Sequence, residues 1–462
     1  MFRIVKNFDL KSKFHSFYST HVNKMFPNEQ TIKSSDGSIQ ENNKRHLTDN
    51  DDDNDPKKLK KTERIKKRNF ALLLGYLGKD YYGMQRNPQM RTIEEDLIGA
   101  MLKAELIDQE SFETIQYTHF QRAARTDKGV SATRQICSVK LPEYSTIEDI
   151  NKFLPKQIRV FGLKRVTKGF NSKSQCNART YTYTLPTYAF APDDPSVVTR
   201  TASDEDILKR IEQLSVIDGK PYTDFRATQE LLDKVNTVLK IYEGTHNFHN
   251  FTSKVRPFDP RAMRYIMKCH CLETHISNNV EFATVLIKGQ SFMLHQIRKM
   301  MALAIGVIRN IVPESTIEEC FKPEKLDIPI APSLGLVLNH VHYDNYNRRY
   351  GSDGIHEKLE WDECDDQIKK FHKDFILQHI EETEINDRSM LLWLGELARC
   401  RLGQRIALNR EEEGEEEEDE EESEKLEEEE NEKLEEEQNE KLKEEGNEKL
   451  EEEQNEKLEV KS

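Results

Sequence analysis

The chain has 462 residues, enough for two or three domains, and a formal net charge of −15. Its seven cysteines follow no regular spacing, which argues against a secreted disulfide framework. No apolar run reaches the ~20 residues of a membrane span, so we expect a soluble protein. The stretch 411–462 holds 29 Asp and Glu against 7 Lys and Arg, a net of −22, which leaves +7 for the first 410 residues. A mildly basic body suits a polyanionic partner.

The N-terminal stretch 1–67 is predicted to be a disordered arm, because it lacks a sustained apolar period. Its first 25 residues hold four lysines and one arginine against one acid, which is typical of a mitochondrial presequence. An arbitrary basic tail is the alternative. The block KKLKKTERIKKR at 57–68 indicates a nuclear import signal or an RNA-contacting arm, with a solvated linker as the alternative. The expected location is the nucleus, the mitochondrion or both.

Residues 68–190 are predicted to form the first half of the folded region. The run FALLLGYLG predicts a strand, and TIEEDLIGAMLKAELI predicts an amphipathic helix with Thr92 as its N-cap and Glu95 three residues on. Alternating apolar residues predict further strands at 116–120, 135–141, 158–166 and 180–185.

Residues 191–345 are predicted to form the second half. Its pattern predicts helix over most of 202–239, strands at 264–273 and 280–288, and then a long apolar helix, SFMLHQIRKMMALAIGVIRNIV. A helical extension is expected at 346–408, with helices between 362 and 402. Runs of strands with helices on one side predict an α+β fold.

The C-terminal stretch 409–462 is predicted to be an acidic low-complexity tail. It repeats an eight-residue unit such as NEKLEEEQ, a period that fits neither the heptad nor the eleven-residue repeat of coiled coils. One leucine per unit cannot form a core. We expect a solvated tail that discourages nonspecific binding.

Two local motifs allow a structural and a functional interpretation. Cys269-His270-Cys271 lies in a strand-like run without a second Cys/His pair at zinc-site spacing, so the face of a strand is favoured and no metal is expected. The motif NFHNF at 247–251 alternates polar and aromatic side chains. It indicates an RNA-facing surface or a capped helix end with buried phenylalanines, and the structural interpretation is favoured.

The stretch ARTDKGV combines charge, a turn and the start of a strand. Arg125, Asp127 and Lys128 precede Gly129, which permits a sharp turn, and a strand follows at once. Such a loop presents one carboxylate from a rigid support. The tip of an ordinary hairpin is the alternative.

Eight motifs occur in the order found in tRNA pseudouridine synthases of the TruA type, namely YYGMQ, TIEEDL, ARTDKGV, LPKQIRV, CNARTYTY, GTHNFHNFT, IKGQSFMLHQIRKM and APSLGL. The resemblance spans about residues 70–343. It is strongest to the eukaryotic multisite branch, because Met84 replaces the Trp usual in bacterial members. It implies an α+β fold of two similar halves with mixed or antiparallel sheets, a catalytic cleft between them and added C-terminal helices.

The resemblance also implies an activity, the isomerisation of uridine to pseudouridine at several tRNA positions around the anticodon arm. Other structured RNAs, such as small nuclear RNA and mRNA, are possible substrates. No atoms are gained or lost in this reaction, so no cofactor is expected. A monomer is expected, because the added helices can cover the surface that bacterial members use for dimerisation. The alternatives are a catalytically inactive RNA-binding or tRNA-folding protein and a base-excising hydrolase.

The family's site residues map onto five positions. Asp127 matches the nucleophile, and Arg298 matches the cation that keeps it ionised, with a phosphate contact as the alternative. Tyr181 matches the tyrosine that stacks on the base. Arg125 is implied to fill the gap left by the flipped base or to clamp the backbone, and Leu336 to pack beside the base, with ordinary strand packing as the alternative. His295, three residues before Arg298, is expected to be a structural hydrogen-bonder.

Overall fold

The computed structural model of the chain describes residues 65–193, 203–253 and 255–405. The predicted arm 1–67, apart from its last three residues, and the predicted tail 409–462 lie outside the described residues. Within these ranges, no helix combines the length and the apolar character that crossing a membrane requires.

The first part of the described chain begins with an interior strand. Strand β1 (Lys67–Tyr76) carries the apolar run FALLLGY and is buried on both faces. Helix α1 (Ile93–Lys103) begins where the Thr92 hydroxyl accepts the backbone N–H of Glu95 at 3.3 Å, so the predicted N-cap is confirmed. The remaining elements are α2 (Gln109–Glu113), β2 (Gln121–Arg122), β3 (Ser131–Pro142), α3 (Ile147–Asn151), β4 (Ile158–Arg165) and β5 (Ala178–Pro186).

One predicted strand is wrong. Residues 116–120 do not form a strand, because Ile115–Thr118 is a 3-10 helix that ends at His119 in the left-handed conformation, with φ of 52°. The buried residues Ile115 and Thr118 are three apart and share one face of that turn. This spacing is that of a 3-10 helix and not the two-residue alternation of a strand.

The second part contains α4 (Asp204–Leu214), β6 (Val216–Ile217), β7 (Lys220–Pro221), α5 (Gln229–Lys240), β8 (Gly244–Asn247), β9 (Met263–Cys271), β10 (His275–Ser277), β11 (Val280–Gly289), α6 (Gln296–Ile308), α7 (Ser315–Glu319) and β12 (Leu336–His342). The long apolar helix is present, but it begins at Gln296 rather than at Ser291. His295 adopts the left-handed conformation, with φ of 58°, and interrupts the helical backbone there.

Strands from both parts form one mixed sheet within the described residues. Its order is β4-β1-β3-β12-β5-β11-β9-β8, with β10 paired to β11 and β2 paired to β3. The pair β3 and β12 is parallel, whereas the neighbouring pairs along this order are antiparallel. Because β12 lies between β3 and β5, the sheet continues across the predicted boundary at residue 190. The two-half organisation stays a prediction.

The C-terminal region is helical where the sequence predicts helices. It contains α8 (Asp344–Tyr350), α9 (Asp365–Phe371), a π-helical turn (His372–Leu377), α10 (Gln378–Asp387) and α11 (Ser389–Glu396). The rings of Phe161 and Phe371 meet at 5.6 Å, and Arg134 binds Asp365 at 2.7 Å, so these helices pack on the sheet.

Glu384 at the end of α10 is a buried carboxylate. It accepts the Tyr188 hydroxyl at 2.6 Å and the backbone N–H of Met390 at 3.0 Å, and so it caps the first turn of α11. Burial raises the pKa of Glu384 to about 7. The stability of this corner therefore depends on pH.

Both ambiguous motifs have structural roles. Phe248 and Phe251 are fully buried, and the Asn250 side chain donates to the backbone oxygens of Cys320 at 3.0 Å and Glu324 at 2.9 Å. The motif therefore connects two segments of the core. Cys269, in β9, is a free buried thiol, as the strand interpretation predicts.

Candidate active site

A cavity of about 530 Å³ lies between the loop before β3 and the N-terminal end of α6. All five residues that the sequence assigns to the site line this cavity, namely Arg125, Asp127, Tyr181, Arg298 and Leu336. The register of β12 explains part of this convergence. Val337 pairs with Ser131 at the start of β3, so the first residue of β12 lies beside the loop that carries Asp127.

The Asp127 loop is anchored by the segment that follows β1. The Thr126 carbonyl accepts the backbone N–H of Met84 at 3.0 Å, and Gly129 donates its N–H to the Tyr81 carbonyl at 3.2 Å. The Thr126 hydroxyl also binds the buried Tyr76 hydroxyl at 2.7 Å. The loop is therefore held on both sides of Asp127, at Thr126 and at Gly129, which restricts the carboxylate.

Two glycines make this anchoring possible. Gly129 has φ of 77°, as the predicted sharp turn requires. Gly83 has φ of 109°, and a Cβ atom there would lie 2.7 Å from the Thr126 carbonyl oxygen. The close approach of the two backbones therefore requires glycine at position 83.

Side chains from the sheet hold the start of the same loop. Gln135 accepts the N–H of Ala124 at 3.2 Å and donates to its carbonyl at 2.7 Å. Arg179, on β5, donates to the Ala123 carbonyl at 2.9 and 2.6 Å and to the Gln290 carbonyl at 3.0 Å. Arg179 thus connects the two chain segments on opposite sides of the cavity.

Asp127 faces a histidine across the cavity. His295 Nε2 lies 3.8 Å from Asp127 Oδ2. Among the described residues, no other basic group lies within 4.0 Å of this carboxylate. Both side chains are about one quarter exposed, at 24% for Asp127 and 25% for His295. Burial lowers the pKa of His295, with the cations Arg298 and Lys299 acting in the same direction and Asp127 opposing them.

Arg298 is buried in the first turn of α6 and lines the same cavity as Asp127. Its Nε donates to the Ala331 carbonyl at 2.7 Å, and within the described part of the chain it forms no ion pair with Asp127 inside 4.0 Å. Burial lowers the pKa of Arg298, whereas Tyr183 and the negative charge of Asp127 raise it. The structure therefore places the two side chains in one cavity without an ion pair between them.

An aromatic and aliphatic surface completes the cavity. Tyr181 is buried on β5, and its ring meets the edge of Phe292 at 5.2 Å and 84°. Leu336 is buried at the start of β12. Burial raises the pKa of the Tyr181 hydroxyl well above its ordinary value, so the ring is neutral. Arg125 is exposed.

Comparison with known proteins identifies the family. A family model described as tRNA pseudouridine synthase matches residues 238–344. The Pseudouridylate synthase 1 homolog of Mus musculus is 44% identical over 351 residues, 75% of this chain and 76% of the relative. The Homo sapiens protein of the same name is 45% identical over 332 residues, covering 71% and 72%. The tRNA pseudouridine synthase 1 of Yarrowia lipolytica is 34% identical over 382 residues, covering 69% and 72%.

The chain belongs to the TruA family of tRNA pseudouridine synthases. It is therefore an RNA pseudouridine synthase, an enzyme of the isomerase class. The stretch that matches the family model contains α6 and β12, and hence Arg298 and Leu336.

For several residues at the site of this TruA-family enzyme, the sequence predicted no role. Tyr76 and Gln135 lie in strands with an ordinary apolar pattern, and Gly83 lies in the YYGMQ motif, but no local pattern indicates their contacts with the loop that carries Asp127. Arg179 carried a usable signal, since it precedes Tyr181 by two residues on a strand and so shares its face. The position of His295 depends on one left-handed residue, which no pattern in the sequence indicates.

Proposed function

We propose that this protein isomerises uridine to pseudouridine in tRNA and that Asp127 is the nucleophile. The observation that carries this proposal is a rigidly anchored carboxylate in a cavity that also contains a buried aromatic ring and a buried cation. The tRNA pseudouridine synthases among the relatives support tRNA as the substrate.

The reaction needs one carboxylate and space for a base to turn. Asp127 attacks C1′ of the ribose, and the N1–C1′ bond breaks with its electron pair on N1. The uracil turns, C5 bonds to C1′, and the carboxylate leaves. The C5 proton is lost and N1 gains one, so the atoms balance. A cavity of about 530 Å³ lies within the ~300–1,000 Å³ of ligand sites, which leaves room for this rotation.

The remaining residues have roles in holding the substrate. A uridine within RNA must be extruded to reach the cavity. Tyr181 stacks on the extruded base, a contact of ~1–3 kcal/mol that needs no base specificity, and Leu336 packs on its other side. The charge of Arg298 favours the ionised form of Asp127. Arg125, which is exposed, fills the gap that the base leaves in the RNA.

We further propose that the enzyme modifies several positions around the tRNA anticodon arm, and also small nuclear RNA and mRNA. The resemblance to the multisite branch supports this breadth. The proposed enzyme is a monomer of two similar halves about the cleft, located in the nucleus, the mitochondrion or both. Mapping pseudouridines in RNA from cells that lack the protein tests the substrates. If all the proposed sites were still modified in those cells, the proposal would be contradicted.

The uneven charge has a proposed role in RNA selection. The basic first 410 residues attract phosphates, and the acidic stretch 411–462 disfavours nonspecific binding. Removing residues 411–462 is expected to strengthen binding to unrelated RNA. Unchanged binding at the same salt concentration would reject this role.

Replacing the nucleophile tests the central assignment. Asp127→Asn keeps the shape of the side chain and replaces the carboxylate with a neutral amide, a far weaker nucleophile, so we expect pseudouridine formation to be abolished while tRNA binding stays within threefold. Asp149→Asn, at an exposed position outside the cavity, is the matched control and is expected to retain full activity. Nucleoside analysis of a treated transcript measures both. Turnover of Asp127→Asn within tenfold of the unmodified enzyme, about 1.4 kcal/mol of barrier, would refute the assignment.

The same assay separates the alternative functions. A base-excising hydrolase would release free uracil, and an inactive RNA-binding protein would form no product with any variant.

Arg298→Met is expected to lower kcat severely, because Asp127 then loses the cation that favours its charge. If saturating tRNA restored the activity of this variant, Arg298 would be a binding contact instead.

A further inference from the structure

His295 has an unusual backbone for a residue at the start of a helix. It adopts the left-handed conformation, with φ of 58° and ψ of 1°. This conformation costs a residue other than glycine ~1–2 kcal/mol, although histidine is enriched there relative to most side chains. Strained backbone of this kind concentrates at functional sites.

Neighbouring hydrogen bonds hold this conformation from both sides. Gln296 accepts the backbone N–H of Met293 through its side-chain oxygen at 2.9 Å, and Lys299 donates its N–H to the His295 carbonyl at 3.0 Å. The backbone is thereby fixed while the imidazole lines the cavity. A helix that began at Ser291, as the sequence predicts, would place this ring elsewhere.

The imidazole lacks the hydrogen bond that a structural histidine forms. Nδ1 is buried without a hydrogen-bond partner among the described residues. Nε2 lies 3.8 Å from Asp127 Oδ2, which is too long for a hydrogen bond. Neither ring nitrogen therefore forms a hydrogen bond with the described residues. Nε2 instead lies beside the carboxylate that is proposed to attack the ribose.

The environment of the ring favours its neutral form. Burial and the neighbouring charges of Arg298 and Lys299 lower the pKa of His295, and Asp127 acts in the opposite direction. A neutral imidazole can accept a proton. The nearby cations Arg298 and Lys299 then favour release of that proton from the imidazolium.

We propose that His295 is a further catalytic residue, the base that removes the C5 proton after C5 has bonded to C1′. This inference rests on the proposed function, because it requires Asp127 to react at C1′. C5 is bonded to the carbon that has just left Asp127, and Nε2 lies on the same side of the cavity as that carboxylate. Nε2 is therefore within reach of the C5 hydrogen.

The step is balanced without a cofactor. Before it, C5 carries both its hydrogen and C1′, and the ring has a double bond between C6 and N1. Nε2 takes the C5 proton, the C5–H electron pair forms the C5–C6 double bond, and the former C6–N1 pair moves to N1. N1 takes a proton from water, and the imidazolium returns its proton to solvent. No group is oxidised or reduced.

The test uses the full-length protein with His295→Asn and His295→Gly. Asparagine and glycine both tolerate a positive φ, so the backbone is preserved while the base is removed. His119→Asn is the matched control, because His119 is also left-handed, with φ of 52°, and does not line the cavity. The substrate is a tRNA transcript with tritium at uridine C5, from which isomerisation releases the label to water.

We expect His295→Asn to release tritium 10²- to 10⁴-fold more slowly, the usual contribution of a general base, with KM within threefold. Deuterium at C5 should slow the variant further, because deprotonation then limits the rate. Imidazole added to His295→Gly should restore turnover, and the acidic limb of the pH–rate profile should disappear in both variants. The control is expected to match the unmodified enzyme.

Three outcomes would overturn the proposal. They are a kcat of His295→Asn within threefold of the unmodified enzyme, a reduced rate with no isotope effect at C5, and a failure of imidazole to raise the rate of His295→Gly. Failure of the proposed function is distinguishable, since it would appear as activity in Asp127→Asn. An inactive Asp127→Asn beside a fully active His295→Asn would reject only the role of His295.

Discussion

Removing the Tyr76 hydroxyl should loosen the loop that carries Asp127. Tyr76 is fully buried in β1, and its hydroxyl binds the Thr126 hydroxyl at 2.7 Å. Thr126 directly precedes Asp127. The substitution Tyr76→Phe keeps the ring and its packing and deletes the hydroxyl with its bond to Thr126, so it separates anchoring of the loop from formation of the core.

The magnitude follows from the burial of both hydroxyls. A typical hydrogen bond contributes ~1 kcal/mol net, but removing one partner costs ~1–3 kcal/mol in all when the other buried hydroxyl is left unsatisfied. We therefore expect Tyr76→Phe to lower the free energy of unfolding by about 1–3 kcal/mol. If ~1 kcal/mol of this energy positions Asp127 in the transition state, kcat falls about fivefold with KM unchanged.

A matched variant shows whether the effect on kcat is specific. The Tyr343 hydroxyl donates to the Ser172 carbonyl at 2.7 Å, in an equally buried place that does not line the cavity. Tyr343→Phe should lose similar stability and retain kcat within twofold. Urea unfolding gives the stabilities, and tritium release from labelled tRNA gives kcat. If Tyr76→Phe retained kcat within twofold while losing stability, anchoring through this hydroxyl would be irrelevant to catalysis.

Three other predictions concern the anchors and the buried acid. Arg179→Lys keeps the charge but cannot bridge two carbonyls, so kcat should fall at least tenfold in the tritium assay, and an unchanged kcat would show that the bridge is dispensable. Gly83→Ala introduces a Cβ atom 2.7 Å from a carbonyl oxygen at φ of 109°, so thermal unfolding should show a loss of ~1–3 kcal/mol, and an unchanged Tm would contradict this. In the folded protein the pKa of Glu384 is raised to about 7, whereas in the unfolded chain it is ~4.3. The stability that Glu384 contributes is therefore fully present below about pH 4 and is lost as the pH rises through 7. Unfolding at pH 5 and 8 should show that Glu384→Gln removes a decline on the order of 3 kcal/mol, and equal declines in both proteins would refute it.

Local patterns in the sequence were sufficient to predict most helices and strands. The apolar run of β1, the Thr92 cap of α1 and the turn at Gly129 each depend on neighbours within a few residues, so local physical chemistry predicts them. The order of eight motifs indicates the family, and the five residues that match the family's site all line one cavity.

Only the tertiary structure decided how these residues meet. Asp127, Tyr181 and Leu336 are separated by long stretches of chain, and they converge because β12 pairs with β3 on one side and β5 on the other. Strand order and register depend on packing between distant segments, which local periodicity does not contain. The same reason explains the missed bond between Tyr76 and Thr126, and the orientation of His295 toward Asp127.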